Sequence, residues 1–156
     1  MAAIKTRLKA DLVQAMKARD EVAKSNIRMA LVAIQYEEVA GKTARELTDA
    51  EEQAVLKREV NKRKDSADAY TQGNRPELAA KEAAEAEFLS AYLPAAMPDS
   101  ELDALVDAAV AEATASLGEA PGMKQMGQII KAVSAAAAGR ADGKEIAAKV
   151  RARLAS

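Results

Sequence analysis

Cysteine, histidine and tryptophan are absent from this 156-residue chain. Without cysteine there is no disulfide and no thiolate nucleophile. Without either cysteine or histidine there is no Cys/His zinc site, and imidazole acid–base catalysis is excluded. A metal would have to rest on carboxylates alone, and no stretch resembles an EF-hand loop. No metal and no cofactor are expected. Aromatic residues are scarce: Tyr36, Tyr70, Tyr92 and Phe88 are the whole set. They offer few platforms on which single-stranded bases could stack. Long apolar runs are missing too. No segment approaches the roughly 20 apolar residues of a membrane span, and Met1 to Lys17 mixes charge with apolar residues at every turn. That pattern lacks the continuous apolar core of a secretory signal. The sequence therefore predicts no membrane partner and a cytoplasmic location, to which the lack of cysteine is suited.

What is present is a helical sequence. Alanine is abundant, and Glu, Lys, Arg and Leu follow it in helix propensity. Apolar residues recur at helical spacing almost throughout. Ile4, Leu8, Leu12 and Ala15 form one stripe; Ile27, Leu31 and Ile34 form a second. Val55, Val60, Ala67 and Tyr70 predict a longer third helix, opened by Thr48 and Glu51 as a capping box. Gly73 is a natural stop, and Pro76 suits the first turn of a fourth helix bearing Leu78, Ala79, Ala86 and Leu89. Pro94 and Pro98 then break any helix that would cross them. Beyond them lie three more stripes: Leu102, Leu105, Val106, Ala109 and Ala113; Met126, Ile129, Ile130 and Val133; Ile146, Val150 and Leu154. Asp142 and Glu145 are spaced as a capping box for the last helix. The expected fold is all-α: an N-terminal domain of about four helices over 1–93, a linker at 94–97, and a C-terminal three-helix bundle over 98–156.

Charge is informative once it is divided. The net charge is −1, which argues against a chain coated in nucleic acid. Yet residues 98–119 hold six acids and no base, whereas 120–156 hold seven bases and two acids. Two readings fit. The acidic helix can bridge to the basic ones, or Lys124, Lys131, Arg140, Lys144, Lys149, Arg151 and Arg153 include a face for RNA phosphates. Both can hold, because one helix neutralises only the side it faces. Lys57, Arg58, Lys62 and Arg63 form a second basic patch. It is either a solvated helix face paired with nearby carboxylates, or a surface for RNA or an acidic partner. Gly127 lies within an apolar stripe, through close helix packing or close approach of an RNA backbone. Gly139 and Gly143 bracket a tight turn, where Arg140, Lys144 and the amides of the last helix could hold a phosphate, in competition with Asp142 as cap. Glu82 and Glu85 could in principle work as acid and base, but no nucleophile or oxyanion site accompanies them, and no catalytic residue is expected.

Two segments carry a family resemblance. One is the run Lys57 to Ser66 followed by Ala69, Tyr70, Gly73, Arg75, Leu78, Ala79, Glu82, Glu85 and Tyr92-Leu93-Pro94. The other is Met126-Gly127, Lys131, Gly139-Arg140-Ala141-Asp142-Gly143 and Val150-Arg151 with Leu154. With Ala15-Met16-Lys17, Asp20 and Ile27-Arg28, their order resembles the GatB/YqeY family over nearly the whole chain. Gln128 and Ile130 depart from it, where a basic residue and methionine are common. The resemblance implies a helical domain followed by a domain like the tail of the tRNA-dependent amidotransferase B subunit, which helps hold the outer corner of tRNA. Amidotransfer, the chemistry of a carbon–nitrogen ligase with glutamine as nitrogen donor, would attach to this chain by homology only. The expected function is a non-catalytic accessory module that binds tRNA or a tRNA-bearing complex. The alternative is an adaptor that docks a protein partner without touching RNA.

Overall fold

The computed structural model describes residues 2–156. Seven α-helices occur among them: α1 (Ala3–Ala18), α2 (Glu21–Val39), α3 (Asp49–Gln72), α4 (Pro76–Ser90), α5 (Asp99–Leu117), α6 (Met126–Ala137) and α7 (Gly143–Ala155). A short 3-10 turn, Met123–Gln125, precedes α6. The chain divides into two compact units, Met1–Leu93 and Pro94–Ser156. Residues 94–97 group with the second.

Local chemistry sets most helix ends. Asp20 caps α2 by accepting the Ala23 amide at 3.0 Å. The capping box at α3 is complete: Glu51 N donates to Thr48 Oγ1, and Thr48 N donates to Glu51 Oε2 at 2.8 Å. Arg45 also grips the Glu51 carboxylate at 2.6 Å. That bond, with the Thr48 amide, holds the Glu51 carboxyl down at about 2. Pro76 opens α4. Gly73 stops α3 for a reason other than the expected one. Its φ is −80°, and it is Asn74 that takes the left-handed conformation. A Cβ at Gly73 would stand 3.3 Å from the Ala69 carbonyl, so closeness selects the glycine. The second box is half made: Asp142 accepts the Lys144 amide at 3.2 Å, but the reciprocal bond from Glu145 is missing.

Helix α1 has no local side-chain cap. Its exposed amides are met from α3, where Asp49 accepts from Ala3 N at 2.7 Å and Glu52 from Lys5 N at 3.0 Å. Carboxylates suit the positive end of a helix, and these two lie 46 and 47 residues away in sequence. Leu8, Ile27, Ile34, Leu56 and Leu89 are essentially inaccessible and form the heart of the first core. Tyr92 closes it. Its hydroxyl donates to Asp11, Arg7 lies 4.6 Å over its ring, and burial together with Asp11 pushes its phenol upward. The second core is built from Leu102 and Val106 of α5, Ile129 and Val133 of α6, and Ile146 and Val150 of α7.

Candidate nucleic-acid interface

Helix α5 presents Asp99, Asp103 and Asp107 at intervals of four, and α7 presents Lys149 and Arg153 at the same interval. Side chains four apart share a helix face, so the two rows can meet. Lys149 Nζ lies 2.7 Å from Asp103 and 3.6 Å from Asp99; Arg153 Nε lies 2.7 Å from Asp107. Asp103 to Lys149 and Asp107 to Arg153 have the same sequence offset of 46. A constant offset means that α5 and α7 run parallel, as an up-down-up bundle of three requires. The bond from Lys149 to Asp103 raises the ammonium's pKa.

Arg140 sits in the α6–α7 turn, partly exposed and bonded within the unit. Its guanidinium grips Glu101 with two hydrogen bonds, 2.8 and 3.2 Å, and Nε donates to the Ala95 carbonyl at 3.3 Å. Its own carbonyl accepts from Met97 N at 2.8 Å. The turn is shaped by Ala138 (φ 49°) and Gly139 (φ 83°), consecutive left-handed residues. Gly143 opens α7, and its space is empty for a Cβ. The N-terminal amides of α7 are approached by Asp142, as the sequence allowed.

The structure thus sorts the basic set. Arg140, Lys149 and Arg153 are tied to carboxylates of α5. Lys124, Lys131, Lys144 and Arg151 are exposed and form no ion pair among the described residues. Lys124 and Lys131 are seven residues apart, as are Lys144 and Arg151. On α7 seven residues are almost two full turns, so Lys144 and Arg151 share a face; Lys124 stands in the 3-10 turn that leads into α6, which carries Lys131. On α7 that face is turned away from Lys149 and Arg153. Between Lys124 and Lys131 lies Gly127, which is exposed, and a Cβ there would meet nothing within 4 Å. Packing inside the unit therefore does not select this glycine, although Gly costs about 1 kcal/mol against Ala within a helix.

The second basic patch is largely paired with carboxylates, although Arg58 and Lys62 are exposed. Arg58 reaches across to Glu37 of α2 at 2.7 Å. Lys62 pairs with Glu59 at 3.0 Å. Arg63 is buried, bonded to Glu59 at 3.0 Å and 3.5 Å from Glu85 of α4. Burial would raise the Glu59 carboxyl, but Lys62 and Arg63 together bring it below its ordinary value. Lys57 is half-buried and has no ion pair among the described residues. Of the two glutamates weighed as an acid–base pair, Glu85 faces Arg63.

The sequence reading missed the buried charges Glu52 and Arg63. Positions 52, 56, 60 and 63 lie on one helix face with Val55 and Glu59, so the face mixes apolar residues with charges of both signs.

A family model described as "Yqey-like protein" matches residues 5–154. Among curated proteins the chain is similar to "Altered inheritance of mitochondria protein 41, mitochondrial". It is 36% identical over 86 residues to the protein of that name from Vanderwaltozyma polyspora, covering 55% of this chain and 46% of the relative. The Saccharomyces cerevisiae protein is 38% identical over 88 residues with the same coverage, and that of Clavispora lusitaniae 35% over 91 residues, 58% and 52%. The chain spans about half the length of these relatives. The expected cytoplasmic location does not stand, because the relatives are mitochondrial by name. Among the described residues no helix is long and apolar enough to cross a membrane. The match over residues 5–154 means that the chain belongs to the YqeY-like family.

Proposed function

We propose that the chain is a non-catalytic accessory module whose second unit binds RNA, tRNA above all, through phosphate contacts from Lys124, Lys131, Lys144 and Arg151. One observation carries the reading. Of seven bases beyond residue 119, the three that face α5 are neutralised by its carboxylates, and the four turned away are exposed and unpaired among the described residues. Cations held at a surface without partners keep their full attraction for phosphate. Gly127, bare between Lys124 and Lys131, leaves room for a sugar–phosphate backbone. Arg140 and Lys149 belong to the scaffold in this reading, not to the contact face. The second basic patch plays no part in it, since Arg58, Lys62 and Arg63 are bonded to glutamates.

The test is titration of the chain with bulk tRNA across a salt series. Affinity is expected to fall linearly on logarithmic axes, with the slope reporting the number of phosphates neutralised. The variant Lys131→Glu, Lys144→Glu, Arg151→Glu should reduce that slope by about one per lost contact with its helical melting unchanged. Absence of binding at low salt, or a folded triple variant of undiminished affinity, would refute the assignment.

A further inference from the structure

The first unit carries an apolar seam that nothing in the unit covers. On α2, Val22, Met29 and Tyr36 recur every seven residues, and Val32 and Val39 follow the last two by three. This is the a/d pattern of a coiled coil, with Ser25 at the remaining position. Their exposures run from 39 to 74%. Scattered exposed apolar residues are ordinary; five in register on one helix form a patch. From Val22 to Val39 the seam spans about 25 Å at 1.5 Å per residue.

The middle of this seam is one wall of a groove of about 700 Å³ between α2 and α3. Met29, Val32, Tyr36 and Val55 supply its apolar lining, and Arg28, Arg58 and Lys62 stand around them. The pairs Glu37–Arg58 and Met29–Arg63 show that the two helices run antiparallel, a pair of rails. At the floor lies Arg63, 7% exposed. Its first terminal nitrogen is bonded to Glu59. Its second reaches the sulfur of Met29, at 4.0 Å, and Nε makes no hydrogen bond, with Glu85 of α4 standing 3.5 Å from it. A thioether is a weak acceptor. The second terminal nitrogen therefore keeps a donor for which a carboxylate is the natural partner.

We infer that the α2–α3 groove is a docking site for an amphipathic α-helix of a partner protein, with its apolar face on the seam and acidic residues along its flanks. Length argues for a helix, since a third helix laid on two antiparallel rails follows the whole seam. Charge argues for an acidic one. Four cations line the groove, Arg28, Arg58, Lys62 and Arg63; the last three are paired with Glu37, Glu59 and Glu85, which leaves Arg28 as the excess charge, without an ion pair among the described residues. The same excess argues against a second copy of this chain, which would bring cations to cations.

Fluorescence anisotropy with the full chain tests this. Two labelled peptides of about 21 residues, three heptads with leucine at the seam positions, would differ only in glutamate or lysine at the flanks. The glutamate peptide is expected to bind at least roughly tenfold tighter than the lysine peptide. Val32→Glu with Tyr36→Glu should weaken it by roughly tenfold or more, with melting unchanged because both side chains are exposed. Equal affinity for the two peptides would overturn the inference, as would binding insensitive to the double substitution. A concentration-dependent dimer abolished by the same substitutions would assign the seam to a second copy. Displacement of the peptide by tRNA would assign the groove to RNA. Either would overturn it too, without bearing on the separate face of the second unit.

Discussion

In the first unit Glu52 is 1% exposed and Arg63 7%; in the second, every charged residue is at least partly exposed and only aliphatic and small side chains are buried. The first unit ties distant elements together with charge: Asp49 and Glu52 of α3 satisfy the amides of α1, and Arg63 joins α3 to Glu85 of α4. The second unit lays its charge along the outside of one interface, Asp99, Asp103 and Asp107 against Lys149 and Arg153. Exposed pairs contribute about 0–1 kcal/mol each, so the second unit rests on its aliphatic core and uses the ladder for register. A buried charge that loses its partners costs far more, about 3–5 kcal/mol. The difference also bears on function. Surface ladders leave one flank of a basic helix free, whereas buried pairs consume their cations.

The comparison makes different demands on the two units. The largest effect is expected from Arg63→Ala, which leaves Glu85 without its ion-pair partner and Glu59 with Lys62 alone, and should cost about 3 kcal/mol or more. Thermal unfolding followed by circular dichroism should show the loss in the first unit alone; a chain that melts unchanged would refute the internal role of this arginine. Next is Arg140→Ala, which removes a bidentate pair and a bond to Ala95, at about 1–2 kcal/mol. Chemical denaturation of a 94–156 fragment would measure it. The same fragment should outlast one cut at 98, because Ala95 and Met97 are bonded into the Arg140 turn.

Smaller still is the ladder. Lys149→Glu is expected to cost about 1 kcal/mol, and adding Asp103→Lys to restore most of it. A double-mutant cycle without coupling would show that the ladder sets nothing. The pH response should divide likewise. Glu51 is held at about 2 against an ordinary 4.5, so it takes up a proton more readily when unfolded. Its contribution to the first unit is complete above that ordinary value and is lost as pH falls toward 2. Lys149 is raised above 10.5, so its contribution to the second unit is complete below that value and is lost as pH rises through the folded one. Unfolding midpoints at acid and alkaline pH would check both signs. Gly127→Ala closes the series, with a gain of about 0.5–1 kcal/mol and no packing penalty.

Much of this was legible in the residues. The helical stripes, the Thr48–Glu51 box, Pro76 at a helix start and the break between Pro94 and Pro98 are local signals, readable within a few residues. So was the opposition of an acidic α5 to a basic C-terminal stretch. What the charge pattern could not say was which cations the acidic helix takes. Seven bases were equal in composition; only the offset of 46 residues between α5 and α7 selects Lys149 and Arg153, and only the path of the α6–α7 turn commits Arg140 to Glu101. The second basic patch shows the same limit. Its bases were expected to pair within α3 or to bind a partner, and Arg58 crosses to α2 while Arg63 turns inward to α4.

Periodicity, capping chemistry and composition by themselves determined the all-helical class and most helix boundaries, because these depend on a few dihedrals and neighbours one turn away. They also determined that neither thiol nor imidazole chemistry is available. Tertiary structure alone decided that α1 is capped by α3 and that Glu52 and Arg63 lie inside. It alone left an apolar seam open on α2 and four cations free on the second unit. The physical reason is common to all four. Whether a charge or an apolar side chain is satisfied depends on what meets it across space, and that partner stands here up to 47 residues away for Glu52.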